Sequence, residues 1–302
     1  MKQLLKLLLP LMLALPLVTS CSNDDDRDNG TTERNANRND ASLEPALQRL
    51  EFPHVKEGDS RVIIHTNNDR FGINYSVEWD CTKRSQRWSC YQMFAANRVQ
   101  ATSRYYSDTN QYPMDPNLPS QYYFDVDPFR GSGYDHGHIC PSADRLYSSE
   151  ANIQTFYLTN MQPQRHVFNA GIWEKMEEKL RSWMSTGSKT EDTLYVCKGG
   201  TIDAVPGVTD NPIRETLQNG LIVPRYFFMA LLRKQKSGYK ALAFWVEHTD
   251  DDRTNDPLGN YVISVRELER LTGIDFFCNL PDNIEEKVEN VSAENVKWLW
   301  NF

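Results

Sequence analysis

The stretch from Arg225 to Val246 constrains the fold most. Arg225 to Arg233 and Ala241 to Val246 are both strand-like and read together as a hairpin. A connection this short joins antiparallel neighbours, because a parallel crossover needs a dozen or more residues. Other strand-like runs are Arg61 to Thr66, Phe71 to Trp79 after the turn Asn67-Asn68-Asp69, Trp88 to Asn97, Thr155 to Asn160 and Thr193 to Cys197. Helices interrupt them irregularly. One starts near Ser148-Ser149-Glu150. A longer one opens at Asn169 and runs from Ala170 to about Met184, with Ile172, Trp173, Met176, Leu180 and Trp183 at helical spacing. A third is capped by Ser264, with Glu267 three residues on, and stops at Gly273. Ala101 to Phe129 is an irregular loop. Strands and helices without regular alternation predict an α+β fold, with a mainly antiparallel sheet flanked by helices.

The ends of the chain point to export. Lys2 and Lys6 precede an apolar run from Leu7 to Val18, too short to span a bilayer, and small residues lead to Cys21. Residues 1–20 read as a signal peptide. The boundary resembles the lipobox of bacterial lipoproteins, which implies a diacylated Cys21 and an outer-membrane lipoprotein facing the periplasm or the cell surface. An ordinary cleaved signal is the plainer reading. Residues 21–45 are polar and expected to form a disordered tether, and residues 46–302 one folded domain. The acidic run Ser22 to Asp26 resembles surface-export signals of such lipoproteins, or is a solvated linker.

With Cys21 assigned to lipid, five of the six cysteines remain. Cys81 and Cys90 flank a polar stretch that a hairpin-closing disulfide can span, whereas nothing chooses a pair among Cys140, Cys197 and Cys278. None has the spacing of a zinc-thiolate site. The net charge of −8 excludes binding of polyanions by bulk attraction, but not a local basic cleft.

The chemistry concentrates in Gly131-Ser132-Gly133-Tyr134-Asp135-His136-Gly137-His138-Ile139. In an extended segment His136 and His138 share a face. Either one is a base beside a metal, or both ligate a metal such as zinc.

This segment resembles the Asp-Arg-Gly-His signature of the DNA/RNA non-specific endonucleases, whose members have the ββα-metal fold. Further matches follow in order: Pro141 to Asp144, Tyr157 to Gln164, Phe168 to Trp173, Val223-Pro224 and Leu271 to Phe277, within a span of about Arg61 to Asp282. The resemblance implies that His138 is the general base and Asn169 the one direct protein ligand of Mg²⁺, with Mn²⁺ as a substitute. A helix N-cap is the structural alternative for Asn169. It implies that Glu177 orients the metal's waters. On a straight α-helix, however, eight residues rise ~12 Å and rotate about 80 degrees beyond two turns, which leaves Glu174 and Glu178 as rivals. Asp135 is expected to position the hairpin, and Asn160 to fix the catalytic loop or merely end a strand.

His136 stands where the family usually carries arginine, and an imidazole offers a phosphate fewer donors. Arg104 resembles a second family arginine, with Arg165 and Arg145 as alternatives or plain surface charge. The implied activity is metal-dependent endonucleolytic cleavage of DNA and RNA to 5′-phosphate products, without sequence preference and with no protein partner. The competing readings are an impaired, nucleic-acid-binding lipoprotein and a zinc hydrolase.

Overall fold

The computed structural model describes residues 34–42 and 44–302, so the signal peptide, Cys21 and the acidic run lie outside the described residues. Its strands are β1 (Ser60–Thr66), β2 (Ile73–Asp80), β3 (Ser85–Met93), β4 (Asp135–His138), β5 (Met161–Gln164), β6 (Thr193–Gly200), β7 (Ile213–Thr216), β8 (Ile222–Pro224), β9 (Tyr226–Gln235), β10 (Gly238–Glu247) and β11 (Val262–Ile263). Its α-helices are α1 (Ser149–Gln154), α2 (Glu174–Trp183), α3 (Val265–Thr272), α4 (Asp282–Glu289) and α5 (Ala293–Trp300).

Seven strands form one antiparallel sheet in the order β1-β2-β3-β6-β9-β10-β11. Its two faces are separate apolar cores, as the alternation of β9 shows. Phe227, Met229 and Leu231 pack with Ile172, Trp173, Met176 and Leu180 of the segment that leads into and forms α2. Phe228, Ala230 and Leu232 pack with Val265 and Leu268 of α3 and Val288 of α4. A strand buried on both faces reads as a continuous apolar run, which is why β9 is so legible. Ser264 caps α3 by accepting from the Glu267 amide, and Gly273 ends it at φ 67°. Among the described residues no helix is long and apolar enough to cross a membrane.

Three expectations are corrected. Thr155 to Asn160 is not a strand: it closes in a 3₁₀ turn at Leu158–Asn160, and the strand begins at Met161. The Asn160 amide holds the Cys140 and Thr155 carbonyls, which takes this segment off any ladder. Cys81 and Cys90 do not close the hairpin, because Cys90 pairs with Ser76, well up the ladder from the turn at Cys81. Cys90 instead lies opposite Cys197, and all five described cysteines are buried free thiols.

The third correction concerns the tether. From Arg34 the chain is docked, although it buries little apolar surface. Asn35 Nδ2 donates to the Cys278 and Leu280 carbonyls, and Asn37 Nδ2 to Asp275 and Glu285. The buried Asn39 donates to the Leu47 and Pro53 carbonyls and accepts from the Val55 amide. Asn35 and Asn39 thus satisfy backbone groups, and Asn37 between them holds two carboxylates. Asn37 also rims an acidic notch between α3 and α4. Burial there raises Glu269 and Glu285 to about 7 each and Glu289 to about 9, against the nearby cation Arg266.

Candidate active site

The site is built on a second, two-stranded sheet. β4 and β5 pair from Asp135 opposite Gln164 to His138 opposite Met161. Gly137 is required by space, since a Cβ there would meet the Gln162 carbonyl oxygen at 2.6 Å. The loop returning from β4 is pinned by Asn160, whose Oδ1 accepts from the Cys140 amide at 2.8 Å while its carbonyl accepts from the Ile139 amide. Asn160 Nδ2 also donates to the Cys140 carbonyl at 2.9 Å.

β4 aligns His138 with its ring edge against Phe156, centroids 4.8 Å apart. Nε2 is buried with no hydrogen-bond partner among the described residues. Burial, then the charge of Arg104, lowers its pKa to about 3, so the ring is neutral at physiological pH.

After β5 the chain enters a π-helical turn, Phe168–Trp173, that runs directly into α2. Gly171 departs from helical geometry there, with Thr254 Oγ1 2.6 Å from where a Cβ would stand. Asn169 lies inside this turn and is not an N-cap. Its Nδ2 donates to Asp135 Oδ2 at 2.9 Å, so the amide oxygen remains available as a ligand. Asp135 also holds His166 Nδ1 at 2.8 Å.

The π turn resolves the difficulty over Glu177. The break in helical geometry at Gly171, between Asn169 and Glu177, removes the offset that a straight helix would impose. Glu177 accordingly lines the same cleft and is buried, with Lys198 Nζ at 2.5 Å and Arg181 Nη1 at 3.9 Å. Burial raises its pKa despite Lys198. Glu174 also borders the cleft but is exposed, and Glu178 lies outside it.

The cleft encloses about 470 Å³ and brings together Arg104, Asp135, His136, His138, Asn169 and Glu177. Arg104 lies over the Phe156 ring, 5.0 Å from its centroid. Arg165 is not among the lining residues: it bonds Asp250 at 2.9 Å and packs on Tyr134. Arg145 is fully buried and spent on the Asn74, Gln92 and Asp144 carbonyls. Sequence reasoning missed three residues. Arg181, four residues after Glu177, was legible from helical spacing. Lys198 sits inside an apolar strand and Asp127 in the irregular loop, and neither carries a local signal.

Among the described residues no group of three or more His, Cys, Asp or Glu side chains is placed to hold a metal. The zinc reading therefore gains no third ligand, and His136 Nε2 is engaged by Asp127 at 3.0 Å. A single free amide oxygen beside an open, polar cleft instead fits a hard cation that keeps much of its water shell.

Residues 61–283 match the family model for DNA/RNA non-specific endonucleases. Among curated relatives, a nuclease of Nostoc sp. is 29% identical over 225 residues, 72% of this chain and 75% of that protein. Mitochondrial nuclease 1 of Schizosaccharomyces pombe is 33% identical over 201 residues, 62% of this chain and 60% of that protein. Mitochondrial nuclease EXOG of Xenopus laevis is 27% identical over 214 residues, and the match spans 69% of this chain but only 58% of the frog protein's length. A crystal structure of the EndoG/EndoGI complex superimposes with a TM-score of 0.60 at 20% identity, covering 73% of this chain and 88% of that one, a likeness of fold. With β4, β5 and the helix behind Asn169 forming its ββα core, the chain belongs to the DNA/RNA non-specific endonuclease family, the nucleases that hydrolyse phosphodiester bonds.

Proposed function

We propose that this domain is a Mg²⁺-dependent endonuclease that cuts both DNA and RNA and leaves 5′ phosphates. The observation that carries the reading is the pairing, in one cleft, of a buried His138 Nε2, unpartnered among the described residues, with an Asn169 amide whose nitrogen is occupied by Asp135. Asn169 Oδ1 would hold the ion, with Glu177 beyond it, and the ion would supply positive charge at the scissile phosphate. His138 Nε2 accepts a proton from the attacking water. Its low basicity in the protein alone is offset when an anionic phosphate arrives, because a nearby negative charge favours the imidazolium. Arg104 and Arg181 add cationic charge along the cleft wall. This scheme engages phosphate alone, which supports tolerance of both sugars and absence of base preference.

Incubation of the tail-deleted chain with plasmid and with RNA, with and without Mg²⁺, tests the reading beside His138→Ala. Equal degradation by wild type and variant refutes it. We further propose export and anchoring through a diacylated Cys21, supported by Lys2, Lys6, the apolar run and the small residues before the cysteine. Mass spectrometry of the mature amino-terminal peptide should find a lipid-modified Cys21, and an unmodified amino terminus refutes the anchor.

A further inference from the structure

The imidazole at position 136 is held far more tightly than a surface histidine. Its ring is stacked between two aromatic side chains: Tyr112, with centroids 3.6 Å apart and planes 3° from parallel, and Phe129, at 4.4 Å and 23°. Its Nε2 faces both oxygens of Asp127, at 3.0 and 3.1 Å. The ring lines the cleft, and Nδ1 has no protein partner among the described residues. The charged groups around it are Asp127 and Arg130 on the loop, Arg104 across the cleft, and Asp135 and His138 on its own strand, while its cross-strand partner Pro163 carries none.

We infer that Asp127 is a positioning residue that presents His136 Nδ1 to a substrate phosphate, with Tyr112 and Phe129 fixing the ring plane. The inference rests on the nuclease reading and deepens it. With Nε2–H donated to Asp127, a neutral ring carries a lone pair at Nδ1 and repels a phosphate oxygen. Only the cation donates from both nitrogens. The contact therefore exists while the ring holds its second proton and disappears as that proton leaves, a limit that a guanidinium does not share. Asp127 suits this role because it stays ionised. Burial pushes its carboxyl up, but the His136 bond and the Phe129 amide outweigh this and hold it below the usual carboxylate range.

The test is steady-state cleavage of a short duplex at saturating Mg²⁺ from pH 5.5 to 9.5, with wild type, Asp127→Asn, Asp127→Glu, His136→Arg and His138→Ala. Wild type should lose kcat/KM on the alkaline side. Asp127→Asn should move that loss to lower pH and raise KM at pH 8 about tenfold, with a smaller change in kcat, as expected for a lost binding charge. Asp127→Glu should restore most of the profile, and His136→Arg should abolish the alkaline loss. The proposal is overturned if Asp127→Asn lowers activity by one factor at every pH, which marks a merely structural role, or if the alkaline loss persists in His136→Arg. Cleavage by His138→Ala at the wild-type rate overturns the nuclease reading itself, and that arm separates the two failures.

Discussion

The cleft and the acidic notch lie on opposite faces of the sheet, and both bury carboxylates, in contrasting ways. In the cleft Glu177 meets a cation at once: Lys198 at 2.5 Å and Arg181 at 3.9 Å on either side. In the notch Glu269, Glu285 and Glu289 crowd around Arg266, and burial drives them up to about 7, 7 and 9. The pairing in the cleft sets two cations against one carboxylate, although burial still raises it. The notch sheds charge by holding protons, and its contribution is to stability, in a pH-dependent way. Buried carboxylates by themselves therefore do not mark the active site. In the cleft the paired carboxylate shares its walls with His138, whose Nε2 has no partner among the described residues.

The sharpest break is His138→Ala, expected to lower kcat about 10²- to 10⁴-fold with folding unchanged, as read by single-turnover cleavage and circular dichroism. Next, Lys198→Met strips the cleft of its compensation. It should cost about 3–5 kcal/mol in urea unfolding, and the loss should grow as pH rises and Glu177 is forced to ionise. Retention of full stability would show that Glu177 is already neutral and that the two regions are alike. Asp135→Ala releases the Asn169 amide and should raise the Mg²⁺ concentration for half-maximal activity about 10- to 100-fold, the usual cost of losing a group that orients a ligand. The notch should give a change of the opposite sign. Glu289 has a folded-state pKa above its unfolded one, so the folded chain holds the extra proton. Stability is full below about 4.5 and declines as pH rises toward about 9. Glu289→Gln should therefore stabilise at pH 8, by on the order of 1.4 kcal/mol for each pKa unit relieved, and should gain nothing at pH 4. A flat difference across that range would place the proton elsewhere.

Much of this was legible in the chain. Runs buried on both faces, such as Phe227 to Leu232, betray strands whatever their neighbours do. Ser264, Glu267 and Gly273 bracket a helix by local chemistry. Asp135 and His138 stood out in an unusual segment, whereas Asn169 was singled out only through the family resemblance. What escaped depends on non-local geometry or on local exceptions to regular structure. Glu177 looked misplaced on an ideal helix because the π turn at Phe168–Trp173 has no periodic signature. Thr155 to Asn160 has strand composition, but the Asn160 side chain removes it from pairing. Asp127 and Lys198 meet their partners only through folding, at separations of 9 and 21 residues in the chain.

The asparagine strap has a consequence for the order of events in synthesis. Asn35 binds carbonyls 243 and 245 residues downstream, so one of the first parts of the domain to be made seats on one of the last. A chain emerging from its amino end cannot close this seam until the segment around Cys278 to Leu280 is out, and domain completion is thereby deferred to the end of elongation.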